Sequence, residues 1–159
     1  METGDKENVR RKAEALLQQG FLSPERDPAV HVGEPLAVMN PDGGQHSWFV
    51  PLEVGPKLAG FAQFLTSLVP LRVSGFQQSS GNYDRCPDVA DWTDVSRILG
   101  RASSMAREGE HLSEPILTYD RDPSRLTWRV LAKSSSGASR YLFVAGTAVY
   151  EASGSQGLG

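Results

Sequence analysis

The sequence has one cysteine, Cys86, among 159 residues. No disulfide can form within the chain, so the fold rests on its core, and a reducing compartment or a fold indifferent to redox is expected. Excess basic charge is also missing. Lys+Arg number 16 against 19 Asp+Glu; the first eighty residues carry 7 basic and 9 acidic, the remainder 9 and 10. Neither half has the electrostatic footprint of a nucleic-acid or anionic-membrane partner. Long apolar runs are missing as well. The longest, residues 58–73, is interrupted by Gln63, Thr66, Ser67, Pro70 and Arg72, and is too short and polar to span a bilayer. The N-terminus, METGDKENVRRKAEALL, puts charges where a secretory signal needs its apolar stretch. The expectation is a soluble, cytoplasmic protein. The sequence contains no phosphate-cradling glycine loop, HExxH, GxSxG or CxxC, so no catalytic residue, cofactor or metal is assigned.

What is present is pattern. A chain of this length buries roughly 70% of its unfolded surface and needs no staple. Residues 5–19 read as a helix: Asp5 can cap it, and Val9, Ala13, Leu16 and Leu17 form one apolar stripe. Gly20 suits the position after it, with Phe21 and Leu22 folding back, and a proline-rich loop follows. Strands are expected at 34–39, 46–54, 58–66 and 68–74, with turns at Asn40–Gly44 and Gly55-Pro56. A helix through AGFAQFLTSL is the rival reading. Residues 77–91 form a polar connector. A second helix is expected from about Thr93 to Glu108, capped by Asp91 or Thr93 and closed by Gly109, with Arg97, Arg101 and Arg107 facing outward. Strands at 114–120, 126–132, 141–145 and 148–152 complete the pattern, and the tail 153–159 has nothing to bury.

The stretch 114–152 echoes 34–76 at an offset of 80. Glu34-Pro35-Leu36 recurs as Glu114-Pro115-Ile116, Trp48 as Trp128, and Val50 as Val130. Phe61, Phe64 and Val69 fall on Tyr141, Val144 and Val149. The reading is an α+β protein of two helix-plus-antiparallel-meander repeats, 1–76 and 92–152. These form one two-layer unit, either by sharing a sheet or by packing two sheets.

Trp128-Arg129-Val130, Leu142-Phe143-Val144 and Gly146-Thr147-Ala148-Val149, with the Glu-Pro strand before them, resemble the PepSY-type domain and the broader cystatin-like α+β group. The resemblance implies a small non-catalytic module linked to peptidase regulation or protein binding. PepSY domains usually sit outside the cytoplasm.

Candidate site residues follow from the echo. His31 maps onto His111, each three residues before its glutamate, so His31/Glu34 and His111/Glu114 form a symmetric pair that could line a groove or hold a metal; two solvated strand entrances are the plainer reading. Trp48 and Trp128 hold equivalent positions, as an aromatic floor or as core. Cys86, beside Arg85, could have a lowered thiol pKa, opposed by Asp84 and Asp88; a structural or merely exposed cysteine is the plainer and favoured reading. Arg121, Arg125, Arg129, Lys133 and Arg140 alternate with acids and read as a salt-bridged surface. Two functions are carried forward. One is a non-enzymatic module that binds a protein partner, or a second copy, through a sheet face or edge. The other is a small-molecule-binding protein or enzyme with a pocket lined by Tyr83, Asp84, Trp92, His111, Tyr119 and Asp120.

Overall fold

The computed structural model describes residues 2–19, 30–75 and 83–152. The Gly20, Phe21 and Leu22 expectations, most of the proline-rich loop, the first part of the connector and the tail lie outside those residues. The chain divides into two compact units. The first comprises Met1–Val38 and Gln45–Val89, the second Met39–Gly44 and Ala90–Gly159. Each holds helix and its own antiparallel sheet, an α+β organisation. Of the two arrangements left open above, a shared sheet does not occur among the described residues.

In the first unit, α1 (Glu2–Gln18) precedes β1 (His31–Val32), β2 (Leu36–Met39), β3 (Gln45–Val54), β4 (Lys57–Leu65) and β5 (Pro70–Gly75). The strand order is β1-β3-β4-β5, with β2 also on β3. Alternation along β3 sends Trp48, Val50 and Leu52 to the helix side. There Val9 and Ala13 of α1 meet Trp48, Val50, Ala62 and Phe64, and Leu17 meets Leu52 and Ala59. Phe49 takes the other face, its ring 5.0 Å from that of Phe61. The stretch AGFAQFL is strand because both its faces are buried. A continuous apolar run does not separate helix from strand by periodicity; its cross-strand neighbours decide.

In the second unit, α2 (Val89–Thr93) and α3 (Val95–Ser103) precede β6 (Glu110–Leu112), β7 (Ile116–Tyr119), β8 (Leu126–Ser134), β9 (Ser139–Ala145) and β10 (Ala148–Glu151). The order is β10-β9-β8-β6, with β7 also on β8. Ile98 and Ala102 of α3 are fully buried, and α3 packs on β8 and β9. The expected helix 93–108 is two shorter ones. Its cap is neither Asp91 nor Thr93 but Asp94, whose extended backbone breaks the helix and whose carboxylate accepts from the Ser96 and Arg97 amides. Asp91 is buried and committed to Arg97 and Arg101, at 3.3 and 2.7 Å. Those arginines therefore turn back onto a carboxylate instead of standing free. The helix ends before Gly109, and the hydroxyls of Ser103 and Ser104 donate to the carbonyls of Gly100 and Arg101 in its last turn, each at 2.6 Å.

The hairpin registers of the two units repeat at the offset of 80. Trp48 faces Phe64 and Val50 faces Ala62; Trp128 faces Val144 and Val130 faces Leu142. His31 faces Glu53 and Val32 faces Leu52; His111 faces Lys133 and Leu112 faces Ala132. Asp94→Ala removes the side-chain acceptor that caps the start of α3. A loss of about 1 kcal/mol in urea unfolding is expected, with Asp91→Ala costing more, since it removes a buried carboxylate that two half-buried arginines share.

Candidate functional site

Two clusters of polar side chains and one sheet edge concentrate what chemistry the fold offers. The edge is β5. It has a strand on one side only among the described residues, and Leu71 on it and Val69 just before it are 42% and 53% exposed. The chain reaches it through Leu68, a non-glycine residue at φ 70, a left-handed conformation that costs roughly 1–2 kcal/mol. The Leu68 amide donates to the Leu65 carbonyl, and the Leu65 amide to the Val69 carbonyl. The bend is thus held, and β5 is bulged against β4 between Gln63 and Phe64. The result is an apolar lip on a strand edge.

The first polar cluster lies on the face of β3–β5 opposite α1. Ser47 and Gln63 are fully buried. Gln63 Nε2 donates to Ser47 Oγ at 2.8 Å, Arg72 Nε donates to Gln63 Oε1 at 2.9 Å, and Ser47 Oγ lies 2.9 Å from His46 Nδ1. The Arg72 guanidinium also sits 5.0 Å above the Phe61 ring. A serine oxygen this close to an imidazole has the spacing of a nucleophile and its base. Ser47 is closed to solvent, however, and its oxygen already receives Gln63, so the group is positioned but not presented. The sequence reading missed this cluster; the available signal was Gln63, a single amide inside an apolar run.

The second cluster belongs to the second unit. Arg140 crosses β9 with its side chain largely buried. It donates twice to Glu110 at 2.9 Å, once to Glu151 at 2.9 Å, and to the Met105 carbonyl at 2.7 Å. The Arg140 hydrogen bonds, aided by the Arg107 amide, hold the Glu110 carboxyl down at about 2. Nearby in sequence, Tyr150 donates to Asp120 at 3.0 Å, and burial followed by that carboxylate raises the Tyr150 phenol pKa. Arg125 approaches Asp120 at 3.5 Å. The expected salt-bridged surface is therefore partly interior, because Arg140 is enclosed. Arg129 lies 4.6 Å from the Tyr141 ring and donates to the Pro41 carbonyl.

The sequence-predicted residues are dispersed. Trp48 and Trp128 are 5% and 6% exposed and form core, not a floor. The Trp128 indole donates to the Trp92 carbonyl at 2.9 Å, and the Trp92 ring lies in van der Waals range of Gly146. The His31/Glu34 pairing does not form. Strand pairing places His31 beside Glu53, at 3.6 Å, while Glu34 is exposed with Lys6 at 3.9 Å. Gly33 makes room for this: a Cβ there would collide with the Glu53 carboxylate. At the equivalent place His111 faces Lys133, and His111 and Glu114 are exposed. A cation opposite one histidine and an anion opposite the other removes the symmetry of the proposed pair. Among the described residues no group of three or more His, Cys, Asp or Glu could hold a metal.

Tyr83 is buried with Leu17, Val30, Leu52 and Cys86 in the first unit, and Asp84 is exposed. In the second unit, Tyr119 donates to Asn40 at 2.9 Å. His111 and Asp120 do not share a pocket. His111 pairs with Lys133, and Asp120 follows Tyr119, which pairs with Leu126, seven residues away along β8. At the rise of a strand that is roughly 23 Å.

Cys86 is 4% exposed. Burial raises its thiol pKa, and Lys57 lowers it by less. The Lys57 ammonium is held by Asp88 at 3.0 Å and by the Cys86 carbonyl. The sulfur is thus a packed apolar atom, in line with the structural reading and not with an arginine-activated thiolate.

No protein family, curated protein or solved structure was found to match this chain.

Two outcomes follow from these environments. Cys86 is expected to react with iodoacetamide far more slowly in the native protein than free cysteine does, and to become reactive on denaturation. Glu110 has a folded-state pKa depressed from 4.5 to about 2. Its contribution to stability is therefore present above the ordinary carboxylate pKa and lost as pH falls towards 2. Urea unfolding of wild type and Glu110→Gln should differ most at neutral pH, with the gap closing through that window; a gap independent of pH would refute the pairing.

Proposed function

We propose that this chain is a non-enzymatic protein-binding module that takes an extended segment of a partner along the edge of β5. The observation that carries the reading is the conjunction at one place of a strand edge, the exposed Val69 and Leu71, and the left-handed Leu68 that sets them. An edge strand supplies unpaired amides and carbonyls, and adjacent apolar side chains give a partner strand something to bury. Natural edges are blunted by charge, proline, bulges or brevity, and β5 carries Pro70, Arg72 and a bulge. Here the outward residue of the bulge is a leucine.

The repeated registers support a second proposal, that the two units descend from one helix-plus-meander ancestor. On that reading the resemblance to PepSY-type and cystatin-like modules, which serve peptidase regulation or protein binding, applies to each unit. The edges then distinguish the units: β5 carries the apolar lip, while its counterpart β10 ends in Glu151, bound to Arg140.

The test is a display selection of random peptides on the native protein. Alternating apolar sequences are expected, and they should lose binding to Leu71→Asp by tenfold or more, roughly 1.4 kcal/mol. Leu71 is exposed, so that substitution should change stability by less than about 0.5 kcal/mol. Enrichment of peptides that bind Leu71→Asp equally well would place the binding surface elsewhere. Sedimentation of the protein alone distinguishes a partner strand from a second copy.

A further inference from the structure

We infer that the chain Arg72–Gln63–Ser47–His46 runs in one direction and fixes neutral His46 as the tautomer that carries its proton on Nε2. The argument starts from the arginine. A guanidinium has five donors and no acceptor and stays protonated, so Arg72 Nε can only donate, at 2.9 Å. The Gln63 side chain must therefore turn its oxygen to Arg72. That leaves its amide nitrogen, a donor, towards Ser47 Oγ at 2.8 Å. Gln63 is fully buried and cannot satisfy the reverse orientation.

Ser47 Oγ now accepts from Gln63 and has one hydrogen to give. Ser47 is also fully buried, and the acceptor for that hydrogen among the described residues is His46 Nδ1, at 2.9 Å. A hydroxyl hydrogen left without an acceptor in such a place carries the full desolvation cost of the group. Nδ1 must then be a bare acceptor, and in neutral imidazole the proton lies on Nε2. Three bonds thus carry the fixed polarity of Arg72 from β5 across β4 to the imidazole at the start of β3.

The consequence concerns recognition. His46 Nε2 is a donor, so whatever group meets it is an acceptor: a carboxylate, carbonyl or phosphate oxygen. Nδ1 has its lone pair engaged and is closed to a metal ion.

Long-range proton–nitrogen correlation spectra of uniformly ¹⁵N-labelled protein, recorded with the imidazole neutral, test this directly. Nδ1 should resonate as an unprotonated nitrogen and Nε2 as a protonated one, favouring that tautomer at least about fivefold, the bias a single net hydrogen bond supplies. A predominant Nδ1–H form, or an even mixture, overturns the inference on the wild-type spectrum alone. Arg72→Met frees the Gln63 amide to turn over, and both tautomers should then appear, although Arg72 does not touch His46 in this chain of bonds. Arg72→Lys keeps a donor at that end and should retain the single form. Unchanged tautomer ratios in both Arg72→Met and Ser47→Ala, with the native strand amides intact, would show that another group sets the proton and would sink the chain as its cause.

Discussion

Everything described rests on the pairing of each long central strand with its hairpin partner, β3 with β4 and β8 with β9. A strand slipped by one residue exchanges its faces. In β3 that would send Trp48 and Val50 away from α1 and put Phe49 and Ser47 beneath it. The true register places Val50 opposite Ala62 and Val130 opposite Leu142, so that two apolar side chains meet under a helix in each unit. The helices are dependent elements. α1 is mostly polar and gains its order from the stripe of Val9, Ala13 and Leu17, all buried. Without the sheet that stripe has nothing to cover.

The same constraint sorts polar groups into those the fold uses and those it leaves at the surface. Where the fold turns a polar residue inward, it acquires partners: Gln63 and Ser47 on strands of the first unit, Asp91 on a helix and Arg140 on a strand of the second. A buried charge broken from its partner is costly, whereas the intact pair adds little net stability. These groups are better understood as fixing one arrangement among several that an apolar interior would tolerate. Arg140 illustrates this by joining β6, β10 and the segment after α3 through a single guanidinium.

Periodicity and turn chemistry made much of the fold legible. Asn40–Gly44 and Gly55-Pro56 turn as their glycines and prolines require, and the buried stripe of α1 follows from spacing alone. The α3 boundaries were not legible, because Asp91, Thr93 and Asp94 are all competent caps in sequence. Burial of Asp91 against two arginines removes it from the choice, and that is a tertiary fact. The histidine pairs failed for a related reason. His31 and Glu34 are close in sequence, but strand pairing brings Glu53, twenty-two residues on, opposite His31. A structural role for Cys86 was legible, but its neighbours in space, Leu52, Ala59 and Tyr83, were not, because its flanking residues are charged.

The turn Met39–Gly44 groups with the second unit, and its bonds show why. Thr118 donates to the Met39 carbonyl at 2.7 Å across 79 residues of sequence, and Tyr119 reaches Asn40 over the same interval. Thr118 is fully buried, so its hydroxyl needs that acceptor. During synthesis the acceptor emerges long before the donor, and the second unit cannot complete itself from its own contiguous stretch. Loop-closure entropy rises only slowly with length, so the equilibrium cost of this arrangement is modest. Its effect falls on folding order: the last bonds of the second unit must wait for a distant segment, a high-contact-order step of the kind that slows folding. Cutting the chain at the boundary near residue 89 would deprive the downstream piece of part of its own interior.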